Sequence, residues 1–145
     1  MSTKKKSGFT EAERAAMKER IKELKEQGRS GQKKADNERA VLDAIADMPD
    51  GDRMIAERIH ALVHDKAPGL LPKTWYGMPA YANDDGKVIC YFQSADRFDS
   101  RYASLGFNDD AKLDDGPIWP VSFAILEWKP EVEKRVGALV EVAVS

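Results

Sequence analysis

The sequence has little of what an exported or membrane-embedded protein needs. It contains a single cysteine, Cys90, which excludes an intramolecular disulfide and agrees with a reducing compartment. The longest mostly apolar run, 118–126, is broken by Pro120 and Ser122. It is far shorter than the roughly 20 residues of a membrane-spanning helix. The lysine-rich start is not followed by the apolar stretch of a signal peptide. We therefore expect a cytoplasmic protein that has no membrane partner.

Familiar catalytic motifs are also absent. The sequence has no Gly-x-Ser-x-Gly elbow, no phosphate-binding Walker loop, no Rossmann glycine pattern and no Cys-x-x-Cys pair. Cys90 alternates with Val88 and Phe92 in "VICYF", which is typical of a small buried hydrophobic residue rather than a catalytic thiol. These observations predict a protein that is not an enzyme.

Charge is abundant but unevenly distributed. Charged residues make up 33% of the chain and hydrophobic residues 42%. Residues 1–39 hold twelve Lys/Arg against seven Asp/Glu, a balance of +5, whereas 40–145 hold eleven against eighteen, a balance of −7. The charges of the basic segment alternate in sign, which indicates a solvated helix and argues against nucleic-acid binding.

The N-terminal segment has the features of a helix followed by a linker. Thr10 and Glu13 have the spacing of a capping box, and Gly28 provides a stop after about Gln27. The segment "GRSGQKKAD" has no bulky apolar residue and is predicted to be flexible. We therefore predict two parts: a charged helix and linker over 1–36, and an α+β domain over 37–145.

The rest of the chain alternates between two periodicities. Helical spacing of apolar residues predicts helices over about 37–48 and 53–66, and a closing helix that begins at Pro130. Between them, "KTWYGMPAY", "KVICYFQ", "YASLGF" and "IWPVSFAI" are predicted to be four strands, the first two joined by an Asp-Gly hairpin signal. This order predicts a two-layer α+β sandwich of helices on an antiparallel meander.

A family resemblance covers about two-thirds of the chain, from about Ala44 onward. It is carried by "AP" at 67–68, "WYGMPAY" at 75–81, the Gly-Lys entry to an aromatic strand at 86–92, and the late "SFAI" and "KPEVEKRVGALVEVA". In these features the chain resembles the YdhG-like family, small bacterial domains mostly of unknown function. The resemblance implies a frataxin-like layout of helices against a curved antiparallel sheet. Some members are described as iron chaperones, which implies iron handling. The charged N-terminal helix lies outside the resemblance.

Six aspartates fall in two loops of the predicted meander. Alternate connections of a meander lie at the same end of the sheet, so these carboxylates could converge on iron, calcium or magnesium. Loop aspartates also occur as plain solvated surface, and that alternative stays open. The residues are Asp84 and Asp85 in the first loop, and Asp109, Asp110, Asp114 and Asp115 in the second.

The two histidines form a second, weaker candidate metal site. His60 and His64 are four residues apart on one predicted helix, and Glu57 precedes His60 by three. Imidazoles one turn apart can chelate a transition metal, with the carboxylate as a third ligand. The alternative is an ordinary solvated helix face.

A third candidate is a notch for a ligand or a protein partner. If "KTWYGMPAY" is one regular strand, alternate residues share a face and a glycine lies between two aromatic rings. The alternative is simple core packing around a bulge. The residues are Trp75, Gly77, Pro79 and Tyr81.

Taken together, these patterns predict a non-enzymatic cytoplasmic binding protein with weak handling of iron or another divalent cation. No other cofactor is indicated. The alternative prediction is a protein-interaction or small-molecule-binding module that uses the N-terminal helix and the Trp75/Tyr81 notch.

Overall fold

The computed structural model of the protein describes the backbone of residues 10–30 and 34–145, and the side chains of 10–23 and 34–145. Within these residues the chain forms four helices and five strands, which confirms the predicted α+β class. The helices are α1 (Glu11–Ser30), α2 (Lys34–Ala46), α3 (Asp50–Lys66) and α4 (Pro130–Ala143). The strands are β1 (Leu71–Trp75), β2 (Met78–Ala82), β3 (Val88–Gln93), β4 (Ala103–Phe107) and β5 (Ser122–Ile125).

The five strands form one antiparallel sheet in the order β1-β2-β3-β4-β5, so each strand pairs with the next one along the chain. In the centre of the sheet, Tyr91 pairs with Ala80 on one side and with Gly106 on the other. The predicted antiparallel meander is therefore confirmed, with one strand more than predicted.

The additional strand arises because "KTWYGMPAY" is not one strand. The chain reverses at Tyr76 and Gly77, which have φ values of 53° and 78°, and Trp75 pairs directly with Met78. Positive φ at both central residues is typical of the two-residue turn that joins the strands of a tight hairpin, because its twist matches the right-handed twist of the strands. The prediction of one regular strand was wrong, because this turn separates β1 from β2.

The predicted hairpin between β2 and β3 is confirmed. Asn83 Oδ1 accepts hydrogen bonds from the backbone N–H groups of Asp85 and Lys87, both at 3.0 Å. Gly86 has a φ of 81°, which a residue with a side chain adopts only at a cost. The Asn83 side chain and the conformational freedom of Gly86 therefore fix this turn locally.

The helix ends differ from the predicted ones. The capping box is present: Thr10 N–H donates to Glu13 Oε1 at 2.9 Å, and Glu13 N–H donates to Thr10 Oγ1 at 3.0 Å. Helix α1 continues past Gly28 to Ser30, and α2 begins at Lys34. Most of the predicted linker is thus helical, and its residues 31–33 lie outside the described part of the chain. The domain boundary at residue 36 stays a prediction.

The hydrophobic core combines side chains from the sheet with side chains from α2, α3 and α4. Helix α2 contacts β1 and β2, and α4 packs along α3. Among the described residues, none of the helices is both long and apolar enough to cross a membrane. The largest side chains that are fully buried include Tyr81, Phe92, Ile59, Leu105, Val41, Val63 and Val140.

Cys90 is 1% exposed, as the alternation along β3 predicts, and burial raises the pKa of its thiol to about 12. Because the thiolate is the reactive form, we expect slow modification by a maleimide in the native state, even at pH 9. Labelling should become rapid in urea. Mass spectrometry of timed samples measures both rates, and immediate native labelling would contradict the burial of this thiol.

Candidate functional site

Two helices bring three metal-ligand side chains together. Glu38 comes from α2, and His60 and His64 come from α3. One ligand atom from each lies within 4.8 Å of the other two, and no other such group of His, Cys, Asp or Glu occurs in the described ranges 10–23 and 34–145. His60 Nε2 lies 3.3 Å from Glu38 Oε2. The cluster is therefore compact enough for one ion.

His60 is oriented from its other side by the sheet. Its Nδ1 lies 2.8 Å from the hydroxyl of Tyr81 on β2. Tyr81 is 1% exposed, and burial raises the pKa of its hydroxyl far above the usual range, so the phenol stays protonated. A hydrogen bond to the second ring nitrogen fixes the plane of a metal-binding histidine.

These hydrogen bonds define two states of the imidazole. The Glu38 carboxylate only accepts hydrogen bonds, so His60 Nε2 donates to it and a neutral ring then accepts from Tyr81 at Nδ1. A metal on Nε2 would move the proton to Nδ1, which would then donate to the Tyr81 oxygen. The hydroxyl can serve either state, because it both donates and accepts.

His64 provides the solvent side of the cluster. It is one helical turn after His60, the two rings stack with centroids 5.8 Å apart, and its side chain is exposed. The His60 side chain, in contrast, is only 14% exposed. An ion could therefore reach the cluster from solvent at His64 while being held on the inner side by His60.

The sequence pattern identified two of these three residues. His60 and His64 are brought together as predicted, but Glu57 is exposed and does not belong to the group. Its place is taken by Glu38, which is 22 residues from His60 along the chain. Only the packing of α2 beside α3 reveals this carboxylate, and no local spacing signals it.

The six aspartates do not gather at one point. Lys87, in the first loop, lies 3.9 Å from Asp110 in the second, so the two loops are neighbours as the meander predicts. Asp114 and Asp115, however, border a separate pocket beside Trp119. No three of these six carboxylates, all within the described part of the chain, approach as closely as the histidine cluster does. Cation binding at these loops stays a prediction.

The predicted notch rests on a premise that the structure contradicts. The register pairs Thr74 with Pro79 and Trp75 with Met78, and alternation puts these two pairs on opposite faces of the sheet. Pro79 and Tyr81 are buried, whereas Trp75 is half-buried with its ring 5.1 Å from that of Tyr91. Trp75 and Tyr81 therefore do not flank one notch.

The fold and the cluster together define an α+β protein with two histidines and one carboxylate at a partly open site. No protein-family model, no curated protein and no solved structure matches the chain. The resemblance to the YdhG-like family thus stays a prediction made from the sequence.

Proposed function

We propose that this is a non-enzymatic cytoplasmic protein that binds a divalent transition-metal ion through Glu38, His60 and His64. The observation that carries the proposal is the approach of three ligand atoms to within 4.8 Å of one another. The proposal includes membership of the YdhG-like family with a frataxin-like layout, in which iron is cargo that the protein takes up and releases. The α+β class and the antiparallel sheet support that part of the proposal.

The ligand atoms of the cluster indicate which ions it would bind. Two imidazole nitrogens with one carboxylate oxygen suit Fe²⁺, Zn²⁺ or Ni²⁺, whereas Ca²⁺ and Mg²⁺ prefer sites made only of oxygen. Three protein ligands leave further coordination positions to water or to an acceptor. The exposure of His64 provides the route by which a second molecule could take the ion. These features suit transfer of an ion better than permanent storage.

Calorimetric titration with Zn²⁺, and with Fe²⁺ under anaerobic conditions, tests the proposal. We expect one ion per chain, and affinity at least tenfold lower in His64→Ala and in Glu38→Gln, because each change removes a ligand. Tyr81→Phe should lower affinity by about tenfold, since it removes the hydrogen bond that orients His60. Glu57→Gln is the matched control and should bind like the wild type.

The titration also separates the competing sites. If His64→Ala binds Zn²⁺ as tightly as the wild type, the histidine cluster is not the site. If Ca²⁺ binds, and if that binding is lost in the double change Asp114→Asn and Asp115→Asn, the acidic loops hold the cation as the sequence predicts. Melting curves provide a second measurement: a specifically bound divalent ion should raise the melting temperature more than sodium at equal ionic strength, which only screens charge.

A further inference from the structure

A pocket separate from the histidine cluster lies between helix α1 and the sheet. Its volume is about 300 Å³, the lower end of the range for small-molecule sites. The lining combines one aromatic ring with charged groups of both signs. The aromatic and charged residues that line this α1 pocket are Arg20, Lys73, Trp75, Lys87, Asp109 and Asp110.

Arg20 lines the pocket and carries a guanidinium nitrogen without a hydrogen-bond partner in the described part of the chain. Its Nη1 atom is buried and has no hydrogen-bond partner among the described residues. The Glu23 carboxylate oxygen 3.7 Å away is too distant for a hydrogen bond. Both Glu23 oxygens are already engaged, because they accept the backbone N–H groups of Tyr76 and Gly77. A buried guanidinium nitrogen without an acceptor is costly unless a ligand supplies one.

Lys73 adds a second positive charge beside that of Arg20. Burial lowers the pKa of Lys73, the neighbouring Arg20 lowers it further, and Glu23 only partly opposes them. Lys87, in contrast, lies 3.9 Å from Asp110. No ion pair involves Lys73 within the residues that the structure describes. Two adjacent cations that share a half-buried site attract an anion.

The charges that line the pocket indicate the kind of anion. The lining residues, three cations and two carboxylates, leave a formal balance of +1, and the Glu23 carboxylate beside Arg20 reduces it further. This balance suits a monoanion better than a phosphate with two negative charges. Trp75 contributes an indole ring to the lining, and this ring packs against the rings of Tyr76 and Tyr91. A flat apolar group could stack on that ring.

We infer that the α1 pocket binds a small aromatic carboxylate, whose carboxylate group lies between Arg20 and Lys73 and whose ring lies against Trp75. The guanidinium fork matches the two oxygens of a carboxylate, and the lysine contributes a point charge. This site is independent of the proposed metal cluster. Because Arg20 is on α1 and Lys73 is on β1, a bound ligand would also tie the N-terminal helix to the sheet.

Phenylacetate and its neutral isostere phenylacetamide test the inference in the full chain by calorimetry or NMR titration. We expect phenylacetate to bind at least tenfold more tightly than phenylacetamide, and inorganic phosphate not to compete. Arg20→Gln should weaken phenylacetate binding at least tenfold. Lys22→Gln changes an exposed residue on the same helix and should have no effect. The metal-site variant His64→Ala should also leave this binding unchanged.

Labelling of Lys73 provides a measurement that does not depend on a variant. Lys73 lines the pocket, so bound phenylacetate should protect it from an amine reagent, whereas exposed lysines should label at the same rate with or without phenylacetate. Equal binding of the amide and the acid, or no protection of Lys73, would overturn the inference. Displacement of phenylacetate by inorganic phosphate would also overturn it, in favour of a general anion site.

Discussion

Replacing Glu23 with alanine should lower the melting temperature of the protein by about 6–9 °C. The Glu23 side chain is 7% exposed, and its two oxygens accept the N–H groups of Tyr76 and Gly77 at 3.1 and 2.8 Å. Removing the carboxylate leaves two turn amides without their acceptor, at a cost of about 2–3 kcal/mol. A chain of this size loses about 3 °C for each kcal/mol of stability. Thermal melting followed by circular dichroism measures the change.

The turn that Glu23 binds makes this cost larger. Tyr76 has a φ of 53°, an uncommon conformation for a bulky residue. The Glu23 carboxylate therefore stabilises a β1–β2 turn that the local sequence, with a tyrosine at positive φ, does not favour. Glu19→Ala is the matched control, because Glu19 is exposed on the same helix, and we expect it to melt within about 1 °C of the wild type.

The outcome also bears on the domain boundary predicted at residue 36. If Glu23→Ala melts like Glu19→Ala, helix α1 contributes little stability and the domain beginning near residue 37 is independent of it. If the expected loss is observed, helix α1 supports the β1–β2 hairpin, and a chain that begins at residue 36 would lack that support. The same two variants therefore test the turn and the boundary together.

Sequence patterns correctly predicted the features that depend only on residues close together along the chain. The Thr10/Glu13 capping box and the hairpin around Asn83 involve residues at most four positions apart, and both form as expected. The turn at Tyr76 and Gly77 was missed because a tyrosine is not a turn signal. Its stabilising contact comes from Glu23, which is 53 residues from Tyr76 along the chain.

The same distinction applies to the candidate site. His60 and His64 could be paired from their spacing on one helix. Glu38 and Tyr81 could not, because they are 22 and 21 residues from His60 and meet it only through packing of α2 and β2 around α3. The α1 pocket likewise brings together Arg20 on α1 and Lys73 on β1, and no sequence pattern predicts that these two elements are neighbours.

Gly106 on β4 is the second position where we expect a large effect. The Tyr91 ring lies across this glycine, so a Cβ atom at Gly106 would fall 2.5 Å from the Tyr91 hydroxyl oxygen and 2.8 Å from its Cε1 atom. Alanine would therefore force the ring of Tyr91 to move and would disturb its packing against Trp75, whose ring centroid lies 5.1 Å away. We expect Gly106→Ala to cost about 1–3 kcal/mol and to lower the melting temperature by about 3–9 °C.

A double-mutant cycle shows whether the Tyr91 ring is the cause. In a Tyr91→Ala background the obstructing ring is absent, so adding Gly106→Ala should cost almost nothing, and the coupling free energy should nearly equal the cost of Gly106→Ala alone. Gly69→Ala is the control for a general effect of removing a glycine, because a Cβ atom there meets nothing within 4 Å. Chemical denaturation of the four proteins in the cycle gives each free energy of unfolding. An equal cost of Gly106→Ala in both backgrounds would mean that the backbone of β4, and not the Tyr91 ring, requires glycine at this position.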